Sequence, residues 1–237
     1  MNHTALLDRP AATEAPRADL YAPIHKALRH FMTDTLHKVG GLDVADAHEM
    51  QATLGQLDAL LTLCRSHLEH ENDFMHPAIE AREPSASART ALDHIEHGHA
   101  IDALRAEARN LREAPAARRD ALAMRLYRHL ALFVAENLQH MHVEETVNNA
   151  ALWAHYSDDE LHALHGRLLA SLSEAEMTEA SRWMLPALTP AERAGLLLEM
   201  RGKMPPEAFR GLLAGLRPLL TAAAWSKLER ALFVPQA

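Results

Sequence analysis

Two copies of one short pattern, 73 residues apart, restrict what this chain can fold into more than anything else in it. Ser66-His67-Leu68-Glu69-His70-Glu71 sets His67 and Glu71 four residues apart, and Gln139-His140-Met141-His142-Val143-Glu144 repeats the spacing with His140 and Glu144. On a helix such a pair lies on one face, with Cβ atoms about 6 Å apart. Each pair falls within a long helical pattern and on its apolar stripe. An Ala/Leu-rich vocabulary with 9 Gly favours helix over sheet, so the chain is expected to be all-α.

Residues 1 to about 16 carry Pro10 and Pro16 without periodicity and are expected to form a flexible leader. The first helix is expected from about Ala18 to Val39, with His25 in the stripe of Leu28 and Met32 and Gly40-Gly41 ending it. Asp43 or Asp46 caps a second helix whose stripe reads Leu57, Leu60, Cys64, His67, Glu71, Phe74, Ala78 before Pro84. A third runs from Ser85 or Ser87 to about Glu113, with His94, His97, Ile101 and Leu104 inward. The fourth follows Pro115 to about His155 and turns Leu126, His129, Phe133, His140, Glu144 and Val147 inward. Four long amphipathic helices joined by short turns predict an antiparallel up-down-up-down four-helix bundle over residues 17–156.

The order is His, then His-x-x-x-Glu, twice over: His25 to His67 is 42 residues and His97 to His140 is 43. Inward imidazoles and carboxylates on facing helices are how bundles hold metal, and this donor mixture suits iron, manganese or zinc. Two ions fit better than one, because a carboxylate can bridge a pair. Uncompensated, the same groups would cost many kcal/mol to bury. The helix lengths do not match. The first extends about 21 Å beyond His25, whereas the second needs over ~30 Å to return to His67. The early turns of the second and fourth helices should therefore project or bend away, with Gly55 as a place to bend.

With His25, His67 and Glu71, His97, and His140 and Glu144 in this order, the chain resembles the hemerythrin-like, or HHE cation-binding, proteins. The segment from Glu71-Asn72-Asp73-Phe74 to Glu80 is also similar to the family's stretch after the first His-x-x-x-Glu. The resemblance implies a non-haem di-iron centre in which the glutamates bridge and the histidines cap each ion. Where the oxygen carriers have His-x-x-x-His on the third helix, this chain has His94-Ile95-Glu96-His97, which makes His94 a candidate fifth histidine ligand or a neighbour of the ligands. Tyr21, one turn before His25, can line the site; Cys64 is expected to be packing and His129 a hydrogen-bonded core residue. His70, His99, His142, His162 and His165 fall on solvated faces, and His30, His37 and His76 are unassigned.

From Ser157 the texture changes. Ser157-x-x-Glu160, Ser173-x-x-Glu176 and Thr189-x-x-Glu192 are capping boxes, and Met204-Pro205-Pro206-Glu207 opens another helix. Residues 157–237 are expected to be a C-terminal appendage of short helices, serving as a homodimer surface or docking a protein partner. Arg193, Arg201 and Lys203 look like solvated positions.

A net charge of -8 without a basic patch argues against nucleic acid and anionic membrane surfaces as partners. No stretch approaches the roughly 20 apolar residues of a membrane span, no secretory signal opens the chain, and a cytoplasmic location is expected. Histidine-rich, carboxylate-poor di-iron sites disfavour high-valent iron, so the first expectation is a protein that binds or senses oxygen, nitric oxide or iron redox state. The second is a di-iron oxidoreductase or an iron-sulfur repair enzyme of the stress response, although the leader lacks the cysteine of such repair proteins. In a third reading the metal only staples the bundle.

Overall fold

A computed structural model describes residues 17–233, and every regular element among them is helical. The expected leader lies outside the described residues. Helix α1 spans Ala22–Gly40. It starts later than the periodicity suggests, because Asp19 Oδ1 accepts from the backbone N–H of Tyr21 and Ala22, both at 3.0 Å, and Pro23 occupies the first turn. The preceding residues are tied to a distant part of the chain. Arg17 donates to Asp158 and the Tyr156 carbonyl, and the Trp153 indole donates to the Ala18 carbonyl.

Helix α2 spans Ala47–His70, capped by Asp46, whose carboxylate accepts from His48 and Glu49 N–H. A π-helical turn at Glu71–Met75 joins it to α3, His76–Arg82. Helix α4 spans Ala88–Glu113. Helix α5, Ala116–Val143, passes through a second π-helical turn, Glu144–Asn148, into α6, Asn149–His155.

The π turns correct the expected inward faces. In each, an N–H bonds five residues back, His76 to Glu71 and Asn149 to Glu144, so one extra residue enters the turn and the buried face moves on by one position. Phe74 and Ala78 give way to buried Met75 and Ile79, and Val147 is exposed while Asn148 is buried. Pro77, which has no N–H to close an ordinary turn, helps explain the first; the second contains no proline.

Helix α1 lies against α2 and α5, and α4 against the same two, so the four rods close a cycle around one apolar cluster that includes Leu28, Phe31, Leu57, Leu61, Leu104 and Phe133. The early turns of α2 do not project as expected. Met50, Thr53 and Leu54 are buried, Leu42 and Val44 of the connector pack on the same cluster, and α2 runs through Gly55 uninterrupted. In α5 only the first turn is exposed: Leu122 and Ala123 already pack on the same cluster and Arg119 donates to the carbonyls of Ala114 and Val44, so this helix does not project by several turns either.

Beyond Tyr156 come α7 (Asp158–Ser171), α8 (Glu174–Ala187), α9 (Pro190–Lys203), α10 (Pro206–Leu216) and α11 (Ala222–Phe233). All three capping boxes form: the hydroxyl of Ser157, Ser173 or Thr189 accepts from the backbone N–H of the glutamate three residues on, whose carboxylate accepts from the backbone N–H of the serine or threonine. Leu161 and Leu164 of α7 pack with Met75, Ile79 and Leu152. Helix α8 lies along α1, where Trp183 stacks on Phe31 at 3.8 Å between ring centroids and meets His30 edge-on. Helices α9 to α11 share a separate cluster around Leu197, Phe209 and Leu228. Arg193 is buried there rather than solvated, donating to the carbonyls of Leu185, Pro186 and Leu188 that end α8; Arg201 donates to the Leu232 carbonyl, and Lys203 pairs with Glu199.

Two glycines give opposite expectations. A Cβ at Gly40 would sit 2.9 Å from the Tyr127 ring, whereas one at Gly55, in the middle of α2, meets nothing. Gly40→Ala should cost about 1–3 kcal/mol by overpacking, and Gly55→Ala should stabilise by about 0.5–1 kcal/mol through helix propensity, both measured by urea denaturation.

Candidate metal centre

The four rods bring six of the sequence-predicted side chains to one level in the core, where they fall into two overlapping groups. His25, His67, Glu71 and Glu144 form one, and Glu71, His94, His140 and Glu144 the other; within each, one nitrogen or oxygen per residue lies within 4.8 Å of the rest. Both groups contain both glutamates.

The carboxylate oxygens divide between the groups. Glu71 Oε1 lies 3.3 Å from His67 Nε2 and 3.8 Å from His25 Nε2, while Oε2 lies 3.3 Å from His94 Nε2. Glu144 Oε2 lies 3.4 Å from His25 Nε2, while Oε1 lies 3.1 Å from His140 Nε2 and 3.5 Å from His94 Nε2. Across the second group, His94 Nε2 and His140 Nε2 approach to 3.0 Å. Around the glutamates, however, the approaches lack hydrogen-bond geometry. All four carboxylate oxygens, with Nε2 of His25 and of His67, are buried without a hydrogen-bond partner. Native proteins rarely leave such atoms unpaired, because desolvation costs several kcal/mol for a charged group. The donor set fits cations: imidazole nitrogen and carboxylate oxygen suit divalent transition metals, and the buried glutamates supply charge for them.

The inner-facing nitrogen is Nε2 at each of these histidines, and for three of them the opposite nitrogen is held from outside. His25 Nδ1 lies 3.1 Å from Glu145 Oε1, His94 Nδ1 2.9 Å from Asn72 Oδ1, and His140 Nδ1 3.3 Å from Asp93 Oδ2. Such outer acceptors fix the tautomer and direction of a metal-ligating imidazole. Each sits beside a cluster residue in sequence, Glu145 after Glu144, Asn72 after Glu71 and Asp93 before His94, yet reaches a histidine on a neighbouring rod. Glu145 is itself fixed by both terminal nitrogens of Arg29, at 2.6 and 2.9 Å. These three were missed in the sequence because a residue adjacent to a ligand points about 100° away round the helix, and only the packing shows what it meets.

On α4 the geometry gives the two histidines different places from those the spacing favoured. His94 enters the group, and His97 does not; it is buried next to it, its ring edge-on to His140 at 4.9 Å and to Phe133 at 6.0 Å, with Nδ1 unpartnered. The near-equal spacings of 42 and 43 residues had singled out His97; the observed partner is one turn earlier, 46 residues before His140. Among the other histidines, His76 is buried, stacked on His94 at 4.7 Å with Nε2 3.2 Å from Thr90 Oγ1. His129 is not a core residue but half-buried, 3.4 Å from Glu107. Cys64 is buried in the apolar cluster, where desolvation pushes its thiol up to about 12.

Electrostatics match the geometry. Burial pushes the His25 imidazole down, but Glu144, Glu145 and Glu71 around it prevail and raise it to about 10; the same opposition, with Glu144 and Glu71, raises His94 to about 9. Burial lowers His67 and His97 to about 4. Burial opposes ionisation of Glu144, yet its contacts with His140, His25 and His94 keep it well below the usual carboxylate range.

Two protons, on His25 and His94, therefore compete with cations near neutral pH. Titrating chelator-stripped protein with ferrous or zinc ions at pH 7 in weak buffer should release about two protons per chain, read with an indicator dye. The stripped protein should also lose stability as pH rises. Both imidazoles lie above their ordinary 6.5, so their contribution is complete below that pH and disappears as pH passes about 9 to 10. Urea midpoints should fall across that window for stripped protein and hold for metal-loaded protein.

Compared with models of protein families, with curated proteins and with solved structures, the chain shows no match.

Proposed function

We propose that this chain is a hemerythrin-like protein: an antiparallel up-down-up-down four-helix bundle that holds two non-haem iron ions, binds or senses a small diatomic such as oxygen or nitric oxide, and carries residues 157–237 as a helical appendage. One observation carries the reading. Glu71 and Glu144 each offer one oxygen to His25 and His67 or to His25 alone, and the other to His94 or to His94 and His140. A single-ion site has no use for that division, and an ordinary buried ion pair would close it with hydrogen bonds.

His25 and His67 would hold one ion, His94 and His140 the other, and both glutamates would serve each. Iron there supplies reversible one-electron chemistry and affinity for small diatomic ligands. The chain's own residues exclude bulk water: His25, Glu71, Glu144 and His140 are all at most 4% exposed. Glu145, Asn72 and Asp93 keep the imidazoles aimed inward. With four imidazoles against two carboxylates, the donor set leaves the ions more positive than a carboxylate-rich site does, which favours reversible binding over oxidative chemistry.

Metal analysis and absorption spectroscopy test this together. Wild-type protein should carry two iron ions per chain, and on exposure to oxygen the reduced protein should gain a charge-transfer band that disappears on deoxygenation. Glu71→Ala or Glu144→Ala should cost both ions, since each carboxylate serves both groups, whereas His67→Ala should keep one. One ion per wild-type chain, or irreversible bleaching in oxygen, would contradict the proposal.

A further inference from the structure

We propose that the outer face of α4 is the contact through which two copies of this chain pair, α4 against α4 and antiparallel. Every large apolar side chain that the described part of the bundle leaves exposed lies on α4, on α5 or in the π turn that follows: Leu92, Ile95, Met124, Leu132, Leu138 and Val147. Among the described residues α1, α2 and α3 leave none. The difference follows the place of the appendage. Helices α1 and α4 stand diagonally opposite, each against α2 and α5, and α8 runs along α1, where Trp183 covers Phe31. Among the described residues no helix of the appendage runs along α4 in the same way.

Single exposed leucines are ordinary on a protein surface. Leu92 and Ile95, 65% and 58% exposed, stand instead within one helical turn and belong to a patterned stripe. Arg89, Leu92, Glu96, His99 and Ala103 are all exposed and follow one another at steps of three and four residues. That spacing keeps them within about 80° round the helix and is the spacing of a helix-pairing seam. Charge along the stripe selects both the occupant and its direction. On the flanks of α4, Asp102 is taken by Arg65 and Glu107 by Arg125, whereas Arg89 and Glu96 have no ion-pair partner among the described residues. A parallel pairing would set Arg89 against Arg89 and Glu96 against Glu96. An antiparallel pairing about a twofold axis beside Leu92 sets the two Leu92 side chains together and each Arg89 opposite the other copy's Glu96. The patch thus complements itself, as an isologous dimer requires.

Sedimentation equilibrium of the full-length protein as purified tests this, and its outcome does not depend on the reading of the metal centre. Wild type should be a dimer in the micromolar range, and Leu92→Glu should be monomeric there. Arg89→Glu and Glu96→Arg, each alone, put like charges opposite one another twice across the axis and should weaken dimerisation at least ~10-fold. Mixed in equal amounts, the two variants regain two opposite-charge pairs, and the mixture should dimerise as wild type does. All three substitutions fall at exposed positions, so far-UV circular dichroism should match wild type. A wild-type monomer throughout that range, which would leave the face bare or to a different protein, overturns the proposal. So does a dimer indifferent to Leu92→Glu, or a mixture no better than its components, the result a head-to-tail contact would give.

Discussion

Two glutamates buried in an apolar core, with no hydrogen bond to any of their four side-chain oxygens, are the constraint from which the rest of the structure follows. A carboxylate there must be compensated, and compensation can come only from groups that the helices bring to the same height. The rods accordingly place His25, His67, His94 and His140 around Glu71 and Glu144, and each glutamate opens a π-helical turn. That turn inserts a residue directly after each carboxylate and rotates the following helix, which puts Met75 and Ile79 on one rod, and Asn148 and Leu152 on the other, into the interior. The same local distortion at both glutamates, 73 residues apart, is what a duplicated helix pair would produce.

Helices α8 and α9 reach this arrangement along α1 and α2. Glu176 and Glu192, the glutamates of two capping boxes, each take a second partner: Ser66 Oγ at 2.5 Å and Lys26 Nζ at 2.6 Å. Ser66 precedes His67 and Lys26 follows His25, so the appendage grips α1 and α2 beside the two histidines of one group. Trp183 on Phe31 adds an apolar contact one to two turns further along α1. Burial of Arg193 against the end of α8 ties this grip to the core of α9 to α11, because its guanidinium closes three carbonyls that the helix end leaves open.

Much of this was legible in the residues. Helical periodicity marked the rods, a serine or threonine followed three positions on by glutamate marked three helix starts to the residue, and His-x-x-x-Glu marked four of the six side chains that cluster in the core. What escaped had a common cause in register. A π turn has no strong sequence signature, so Val147 looked inward and Asn148 did not. Choosing between His94 and His97 depends on the relative height of two rods, which a spacing of three along one helix does not encode. Glu145, Asn72 and Asp93 act across helix boundaries, and Arg193 looked solvated because a lone arginine on a short helix gives no hint of the carbonyls it will meet.

The proposed di-iron centre requires cations between Glu71 and Glu144. Anomalous diffraction from crystals of the iron-loaded chain, collected on either side of the iron absorption edge, tests this most directly. Two peaks about 3.5–4 Å apart, one beside His25 and His67 and the other beside His94 and His140, are the predicted result. A single peak, or none in the core with iron only at surface histidines, would contradict it.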